Sequence, residues 1–519
     1  MNQTHRLTIT DTSENGEGFA RLDRMAVFVP GLVTGDTADV ILTESRKNYA
    51  VGQCAALISP SEHRISPVCP SFGRCGGCSL CHVSYEFENT VKQNCVKSAL
   101  RRMKLPYDLV EPTRFTPART GYRNKIGLHY DKSAHAFGYM ARDSHDILPF
   151  DSCLLCGDVF SSIVRFTNDH IGLLDRLVPD ELFLRRSHDG KITVSVYTSS
   201  KNADIAPYRT ALKNTFPEVS DVLCVRGDTG GADAAVTEEY MGVTMRFASE
   251  VFRQVNHDAA EILMELVCTF AEEQPFSYAA DLYCGSGAFG LVMAKRFPHA
   301  RFFGLEIDRD AIRAAKANAD ANGLANISFV CADAASFDGN IPAGDGTSYP
   351  PELVVVDPPR AGLSDRMREG LVKLAPERLV YVSCNPQTMA RDLAELVRGG
   401  YRLLRVTPVN MFPMTKHVES VVRLSRKMPD DRIDIDLHLD EVDTTSAEAK
   451  ATYEEIKEYV LRTHGLNVST LYISQVKRKL GLEVGKCYNQ AKSDNAKIPH
   501  CPKDKENAIG EALKYFKMV

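Results

Sequence analysis

The sequence predicts an α/β protein of several domains, and three observations carry that reading. From about residue 250 to 427, helical stretches alternate with continuously apolar strands: "AADLYCG", "RFFGLEID", "NISFVCAD", "ELVVVDPP", "RLVYVSC" and "SVVRLSRK". Strands of that kind, separated by helices, belong to a doubly wound parallel sheet covered on both faces. Ahead of residue 60, short β-type runs punctuated by glycine turns predict a small closed barrel instead. The length, 519 residues, leaves room for roughly three or four domains, each with a core of its own.

In chain order, residues 1–59 hold "HRLTIT", "GEGFARL", "MAVFVPG", "TADVILTE" and "YAVGQCAALI", strands of about five residues suited to a barrel of the oligonucleotide-binding kind. Residues 60–247 begin with a cysteine cluster and continue as a mixed α+β segment with strands such as "KITVSVYTS" and "VTMRFASE". Residues 248–427 form the doubly wound, Rossmann-like part. Residues 428–519 start acidic, "PDDRIDIDLHLDEVD", and continue with helical stretches near 447–464, 468–480 and 503–516. Within them "VSTLYISQVKRKLGL" has the look of a recognition helix as well as of an ordinary amphipathic one.

The N-terminus lacks a secretory pattern and no run of about 18 apolar residues occurs, so a soluble cytoplasmic protein is expected, without membrane contact. A formal net charge of -5 argues against a uniformly basic nucleic-acid binder. Locally the balance reverses. Between Thr90 and Lys132 ten basic residues stand against three acidic ones, with Tyr107, Phe115, Tyr122 and Tyr130 interleaved. A surface that neutralises phosphates and stacks unpaired bases wants that mixture, although a solvated helix face followed by a strand has the same composition.

Fifteen cysteines in a chain of this size are not needed as staples. "CPSFGRCGGCSLC" at 69–81 spaces four of them C-x5-C-x2-C-x2-C, which suits a zinc site, a redox pair or an iron-sulfur cluster.

The sheet half carries the chemistry. "DLYCGSGAFGL" turns from strand to helix through Gly285 and Gly287, offering close backbone approach and a helix N-terminus. Glu306, closing the next strand, is placed for ribose hydroxyls, so a nucleoside cofactor is expected, either a dinucleotide or S-adenosylmethionine. "VVVDPPRAG" brings Asp357 to a strand end and closes on Arg360 where amine-methylating enzymes carry an aromatic, which leaves a carbon or oxygen target. "VYVSCNPQT" places Cys384 at another strand end before a helix start, where a lowered thiol pKa is expected. "FPMTKHVESV" adds His417 and Glu419. A thiolate that adds to C6 of uracil makes C5 nucleophilic, and a base must then remove the C5 proton. Cys384 as nucleophile and Glu419 as base meet both needs, acting on a single-stranded or flipped uridine.

With those residues in view, "FRQVN" (252–256), "DLYCGSG", "DPPR", "SCNP" and "FPMTKHVE" resemble, in order, the RNA uracil-C5 methyltransferases, and the chain is similar to the branch acting on 23S rRNA. The resemblance runs from residue 1 to about 427. It implies an N-terminal TRAM barrel and a [4Fe-4S] cluster held by Cys69, Cys75, Cys78 and Cys153, with Cys81 and Cys156 as extra thiols. It further implies an S-adenosylmethionine site of Gln254, Tyr283, Gly285, Gly287, Glu306, Asp333 and Asp357. Two departures accompany it: Ala288 stands where relatives often have Asn, and Asn410 replaces an Asp, expected to weaken a supporting hydrogen bond.

The leading expectation is 5-methyluridine formation in 23S rRNA by a monomer that binds RNA and not DNA. The same reaction on the tRNA T-loop is the nearer alternative, disfavoured because the tRNA enzymes compared lack the barrel and cluster. A non-catalytic RNA-binding assembly factor and a nicotinamide oxidoreductase are the other classes, and the latter leaves "DPPR" and "SCNP" without a role.

Overall fold

The computed structural model describes residues 4–13, 15–142, 144–200, 204–226, 235–248, 253–342, 347–426, 453–466, 468–480 and 501–516. They fall into two compact units, Met1–Asp431 and Arg432–Val519.

The first unit starts with a six-stranded sheet built from Thr4–Thr8, Asp11–Thr12, Gly18–Leu22, Met25–Val29, Thr37–Ser45 and Tyr49–Ser59. Alternation sends Leu7, Val27, Val29, Val40 and Ala50 to one side, where they form a core. The parallel pairing of Met25–Val29 with Tyr49–Ser59 rolls the sheet around that core. Buried Asp36 accepts from the backbone N–H of Val33 (2.7 Å) and Ser61 (2.8 Å) and from Arg64, fastening the barrel to the segment that leads to the cysteines.

A second six-stranded sheet orders Val219–Arg226, Ile192–Thr198, Pro179–Arg186, Lys125–Asp131, Ala136–Met140 and Ile147–Pro149 side by side. Helices Asp158–Asp169 and Ala206–Thr215 cover it around Phe160, Ile163, Leu182, Val194 and Tyr208.

The large sheet has seven strands: β1 (Tyr278–Leu282), β2 (Arg301–Glu306), β3 (Ile327–Cys331), β4 (Leu353–Val356), β5 (Arg378–Ser383), β6 (Tyr401–Val409) and β7 (Glu419–Arg426). Their spatial order is β3-β2-β1-β4-β5-β7-β6, parallel except for β7, which runs antiparallel to both neighbours. The strands are apolar on both faces because both are covered. Helices α2 (His257–Glu272), α3 (Ala288–Arg296) and α4 (Arg309–Ala321) bury one core with Val355, Val380 and Val421. Helices α1 (Tyr85–Arg102), α5 (Asp365–Leu374) and α6 (Pro386–Arg398) bury the other with Val354, Val356, Tyr381 and Val422. By chain position α1 lies in the cysteine-bearing segment, yet Val96, Ala99 and Leu100 pack on the large sheet. The strand order reverses at β1, so a crevice opens between the carboxyl ends of β1 and β4, where ligands of such sheets bind.

The second unit holds α7 (Tyr453–His464), α8 (Thr470–Lys479) and α9 (Lys503–Tyr515) around Ile456, Val460, Ile473, Val476, Ile509 and Leu513. The acidic stretch before them lies outside the described residues. Ser469 caps α8, but Lys477 is buried and Lys479 pairs with Glu506, so the basic end of that helix is largely engaged within the unit. Among the described residues no helix is long and apolar enough to cross a membrane.

Candidate active site and cysteine cavity

The crevice is shaped first by its glycine turn. Gly285 (φ 53°) and Gly287 (φ 84°) adopt left-handed backbone, and a Cβ at Gly287 would meet the Phe329 ring at 2.8 Å. Tyr283 also holds a positive φ of 66°, a strained conformation fixed by its N–H to Leu305 O at 2.9 Å. Glu306 closes β2 against this turn. One carboxylate oxygen accepts from Gly285 N–H (3.1 Å), the other from the N–H groups of Ile307 (2.8 Å) and Asp308 (3.0 Å). Asp333 caps a short helical turn through Ala335 N–H at 2.9 Å, and its charge reaches Tyr283.

A third carboxylate escapes the motif reading. Asp281, inside β1, is fully buried; one oxygen accepts from Gly290 N–H at 2.9 Å and the other has no partner. Burial first, then the charges of Asp357 and Glu306, push it up to about 7. Its signal is a carboxylate interrupting the apolar run "YAADL". Asp357, one residue past β4, is likewise pushed up to about 7 by burial. Mutually repelling carboxylates around a glycine turn fit a cationic nucleoside ligand such as S-adenosylmethionine, whose sulfonium and ammonium they would balance.

The second half of the site is a matter of register. β5 and β7 pair antiparallel, and their last ladder pair is Ser383 with Ser420. Continuing that register by one step brings Cys384 toward Glu419, whose charge reaches the Cys384 thiol. Glu419 is only 4% exposed, and burial, then Asp357, push it up to about 8 against the opposing pull of Arg360. Cys384 departs from expectation: its thiol is pushed up to about 11. Burial and the charges of Glu419 and Asp357 outweigh Arg360, and the helix start it precedes does not reverse the balance.

The loops bearing these groups are tied together. Asn385 caps α6 through Gln387 N–H (3.0 Å) and donates from its amide to Arg360 O (3.1 Å), while Thr388 Oγ1 donates to the same carbonyl (3.1 Å). His417 is lowered to about 4 by burial and by Arg360, Lys416, Lys92 and Arg123, so it is a neutral imidazole at pH 7. Gln254 lies in the approach to α2; its carbonyl accepts from Asn124 at 2.8 Å, and Asn256 beside it caps α2 and donates to Met411 O at 3.2 Å. Phe252 lies outside the described residues.

Cys69, Cys75, Cys78 and Cys153, distant in sequence, line one cavity of about 410 Å³ with Cys156, Arg123, Tyr139 and Met414. Cys78 is pushed up to about 12 by burial and by the other thiols around it. The Cys156 thiol lies 3.7 Å from Cys153 Sγ and donates to it, and this holds Cys153 at about 6. A single tetrahedral zinc at a Zn–S distance near 2.3 Å needs sulfurs about 3.8 Å apart. Among the described residues, no three of these sulfurs lie within 4.8 Å of one another.

The basic window is less exposed than its count suggests. Lys92 is buried against Glu88 (3.1 Å), Arg119 pairs with Glu88 (3.0 Å), and Arg123 faces Tyr122 and the cysteines. Arg101, Arg102, Lys104, Arg114 and Lys132 are exposed. Tyr122 is buried, its hydroxyl donating to Pro413 O at 3.0 Å, and Tyr130 packs on Phe137, which leaves Phe115 and Tyr107 as exposed rings.

Comparison with known proteins agrees with this arrangement. Residues 235–427 match the tRNA (Uracil-5-)-methyltransferase family and residues 1–55 match the TRAM domain. An uncharacterized RNA methyltransferase of Clostridium tetani is 30% identical over 452 residues, covering 82% of this chain and 96% of its own. One from Gloeobacter violaceus is 32% identical over 455 residues, covering 82% and 97%. Among solved structures, the tRNA (uracil-54, C5)-methyltransferase of Pyrococcus abyssi in complex with S-adenosyl-L-homocysteine superposes with a TM-score of 0.62 at 25% identity, covering 81% of this chain and all of its own.

Proposed function

The chain belongs to the S-adenosylmethionine-dependent uracil-5 RNA methyltransferase family, with an N-terminal TRAM domain, and from that premise we propose that it converts a uridine of 23S rRNA to 5-methyluridine, as a cytoplasmic monomer. The observation that carries the reaction is the register that brings Cys384 beside Glu419 at the mouth of the nucleoside crevice.

Cys384 reacts as its minor thiolate form, the thiol proton having passed to solvent: its sulfur forms a bond to C6 of a flipped uracil, and the C5–C6 π electrons move toward C5 and O4. Gln254, Tyr283, Gly285, Gly287, Glu306, Asp333 and Asp357 would hold S-adenosylmethionine, which would supply an electrophilic methyl group to C5, its methyl–sulfur bond breaking to leave S-adenosylhomocysteine. Glu419, in its carboxylate form, then takes the C5 proton, the C5–C6 double bond re-forms, and the C6–S bond breaks to release Cys384 as the thiolate. Arg360, which faces both groups, stabilises the negative charge that passes between sulfur and O4. Cys69, Cys75, Cys78 and Cys153, which line one cavity, would hold a [4Fe-4S] cluster whose role would be to clamp the cysteine loop, and the TRAM barrel and the exposed cations and rings near Phe115 would hold RNA.

One observation favours a second substrate. The Pyrococcus neighbour is named for tRNA, and it covers 81% of this chain, more than the segment beyond residue 247 could supply. The T-loop uridine of tRNA therefore stands as the alternative substrate.

The test is methyl transfer from labelled S-adenosylmethionine to unmodified 23S rRNA and, separately, to unmodified tRNA, with nucleoside mass spectrometry. Label in 23S rRNA as 5-methyluridine, lost in Cys384→Ala, is the expected result. Label in tRNA alone replaces the substrate, and full activity of Cys384→Ala ends the mechanism.

A further inference from the structure

The loop that delivers Glu419 to Cys384 is held from below by a buried polar network that includes the departure at Asn410. Its amide nitrogen donates to Glu88 Oε1 at 2.9 Å and to Asn89 Oδ1 at 2.8 Å, and its oxygen accepts from the Lys92 ammonium. Glu88 Oε1 also accepts Met414 N–H at 2.9 Å, while its second oxygen accepts Arg119. Lys92 donates in addition to Phe412 O at 2.9 Å. Glu88, Lys92 and Asn410 are all fully buried. Met414 sits at a φ of 65°, a conformation a non-glycine residue keeps only under restraint, and the hydrogen bond to Glu88 supplies it.

These contacts reach both ends of "NMFPMTKHVE". Asn410 follows β6, whose last residue, Val409, pairs with Glu419 itself, and Met414 O accepts Ser79 N–H (3.1 Å) and Leu80 N–H (2.9 Å) from the cysteine loop. Far from weakening a support, Asn410 makes three hydrogen bonds, and an aspartate would keep the one accepted from Lys92 but not the two donated to Glu88 and Asn89. With Glu88 as neighbour, an aspartate oxygen in place of the amide donor would face two acceptors, the Glu88 carboxyl oxygen and the Asn89 side-chain oxygen, in a buried site.

We propose that Asn410 and Glu88 form an exchangeable amide–carboxylate pair that positions the Glu419 loop. The pair tolerates one carboxylate, and moving it from 88 to 410 requires moving the amide to 88. Asn410 and Glu88 are positioning residues: they act through the loop, and Cys384, on the strand end of β5, does not depend on them.

The inference rests on the proposed roles of Cys384 and Glu419, and the experiment separates the two. Full-length Asn410→Asp, Glu88→Gln/Asn410→Asp and Glu419→Gln are compared for turnover, for thermal midpoint, and for denaturant-resistant protein–RNA adduct on the RNA that the wild-type protein methylates. Asn410→Asp is expected to lose on the order of a hundredfold in kcat and to accumulate adduct, as Glu419→Gln does, because the thiol adds while the base is displaced. The double variant is expected to recover at least about tenfold of that loss, the donor pattern being restored. Unchanged kcat in Asn410→Asp, or a loss with neither adduct nor recovery in the double variant, folded or not, overturns the inference while adduct in Glu419→Gln keeps the mechanism. Absence of adduct in Glu419→Gln as well overturns both.

Discussion

Glu419, Asp357 and Asp281 all have carboxyl groups pushed above the ordinary range of about 4, to about 8, about 7 and about 7. In each case burial is the largest cause. Between the unfolded and folded values the native state binds more protons, so the stability these groups contribute is complete below about pH 4 and is lost as pH rises through 7 to 8. The thermal midpoint of ligand-free protein should therefore fall between about pH 6 and about pH 8, and the added stabilisation by S-adenosylmethionine should be larger at the higher pH. Scanning calorimetry at both values checks it, with Glu419→Gln flattening part of the slope; a midpoint that rises with pH contradicts the buried carboxylate cluster. Cys384, Glu419 and Glu306 could be singled out as candidates in the sequence because strand ends of an open α/β sheet are local features. The rise of the Cys384 pKa was not legible there, since it depends on which carboxylates two other strands bring beside it.

At the scale of elements, the loop after β4 and the start of α6 behave as one piece. "SCNP" reads as a helix start, and Asn385 does cap α6, but its second bond, to Arg360 O, joins segments 25 residues apart. Asn385→Ala should cost about 1 kcal/mol for the cap and, by releasing the loop that carries Arg360, lower kcat while the dissociation constant for S-adenosylmethionine stays within about twofold. Denaturant unfolding and isothermal titration measure the two effects; equal losses in kcat and cofactor affinity would show that the loop acts on the whole crevice. Phe115 obeys the same logic. The segment around it runs parallel to β6, Arg114 pairing with Val409, and leaves the ring 46% exposed beside Tyr85. Phe115→Ala should weaken RNA binding by about 1–3 kcal/mol and leave cofactor binding unchanged, as read by filter binding; full RNA affinity would remove the ring from the interface.

For the whole molecule, the barrel, both large sheets and the helices that cover them form one unit, and the last helices form another with its own apolar core. The family match ends at residue 427, before the second unit. A chain ending at Asp431 should keep the thermal midpoint, the cofactor affinity and the methyl transfer of the full-length protein. Loss of methyl transfer with the other two intact would assign the extension to RNA. The separate core explains the expectation: residues that bury their apolar faces among themselves unfold as their own cooperative unit.

Sequence by itself determined the doubly wound sheet, the barrel, the order of the motifs and the residue types of the reaction, because apolar periodicity, glycine turns and strand-end polar groups are written locally. Tertiary structure decided how those residues meet. The antiparallel β7 inserted between β5 and β6 brings Glu419 beside Cys384, and the fold of residues 60–160 collects five cysteines around one cavity. It also turned part of the basic window inward, as Lys92 and Arg119 became counter-ions of Glu88. Charge counted along a chain does not tell which charges face water. That depends on the desolvation of groups brought together from distant segments, and only the packed molecule specifies those neighbours.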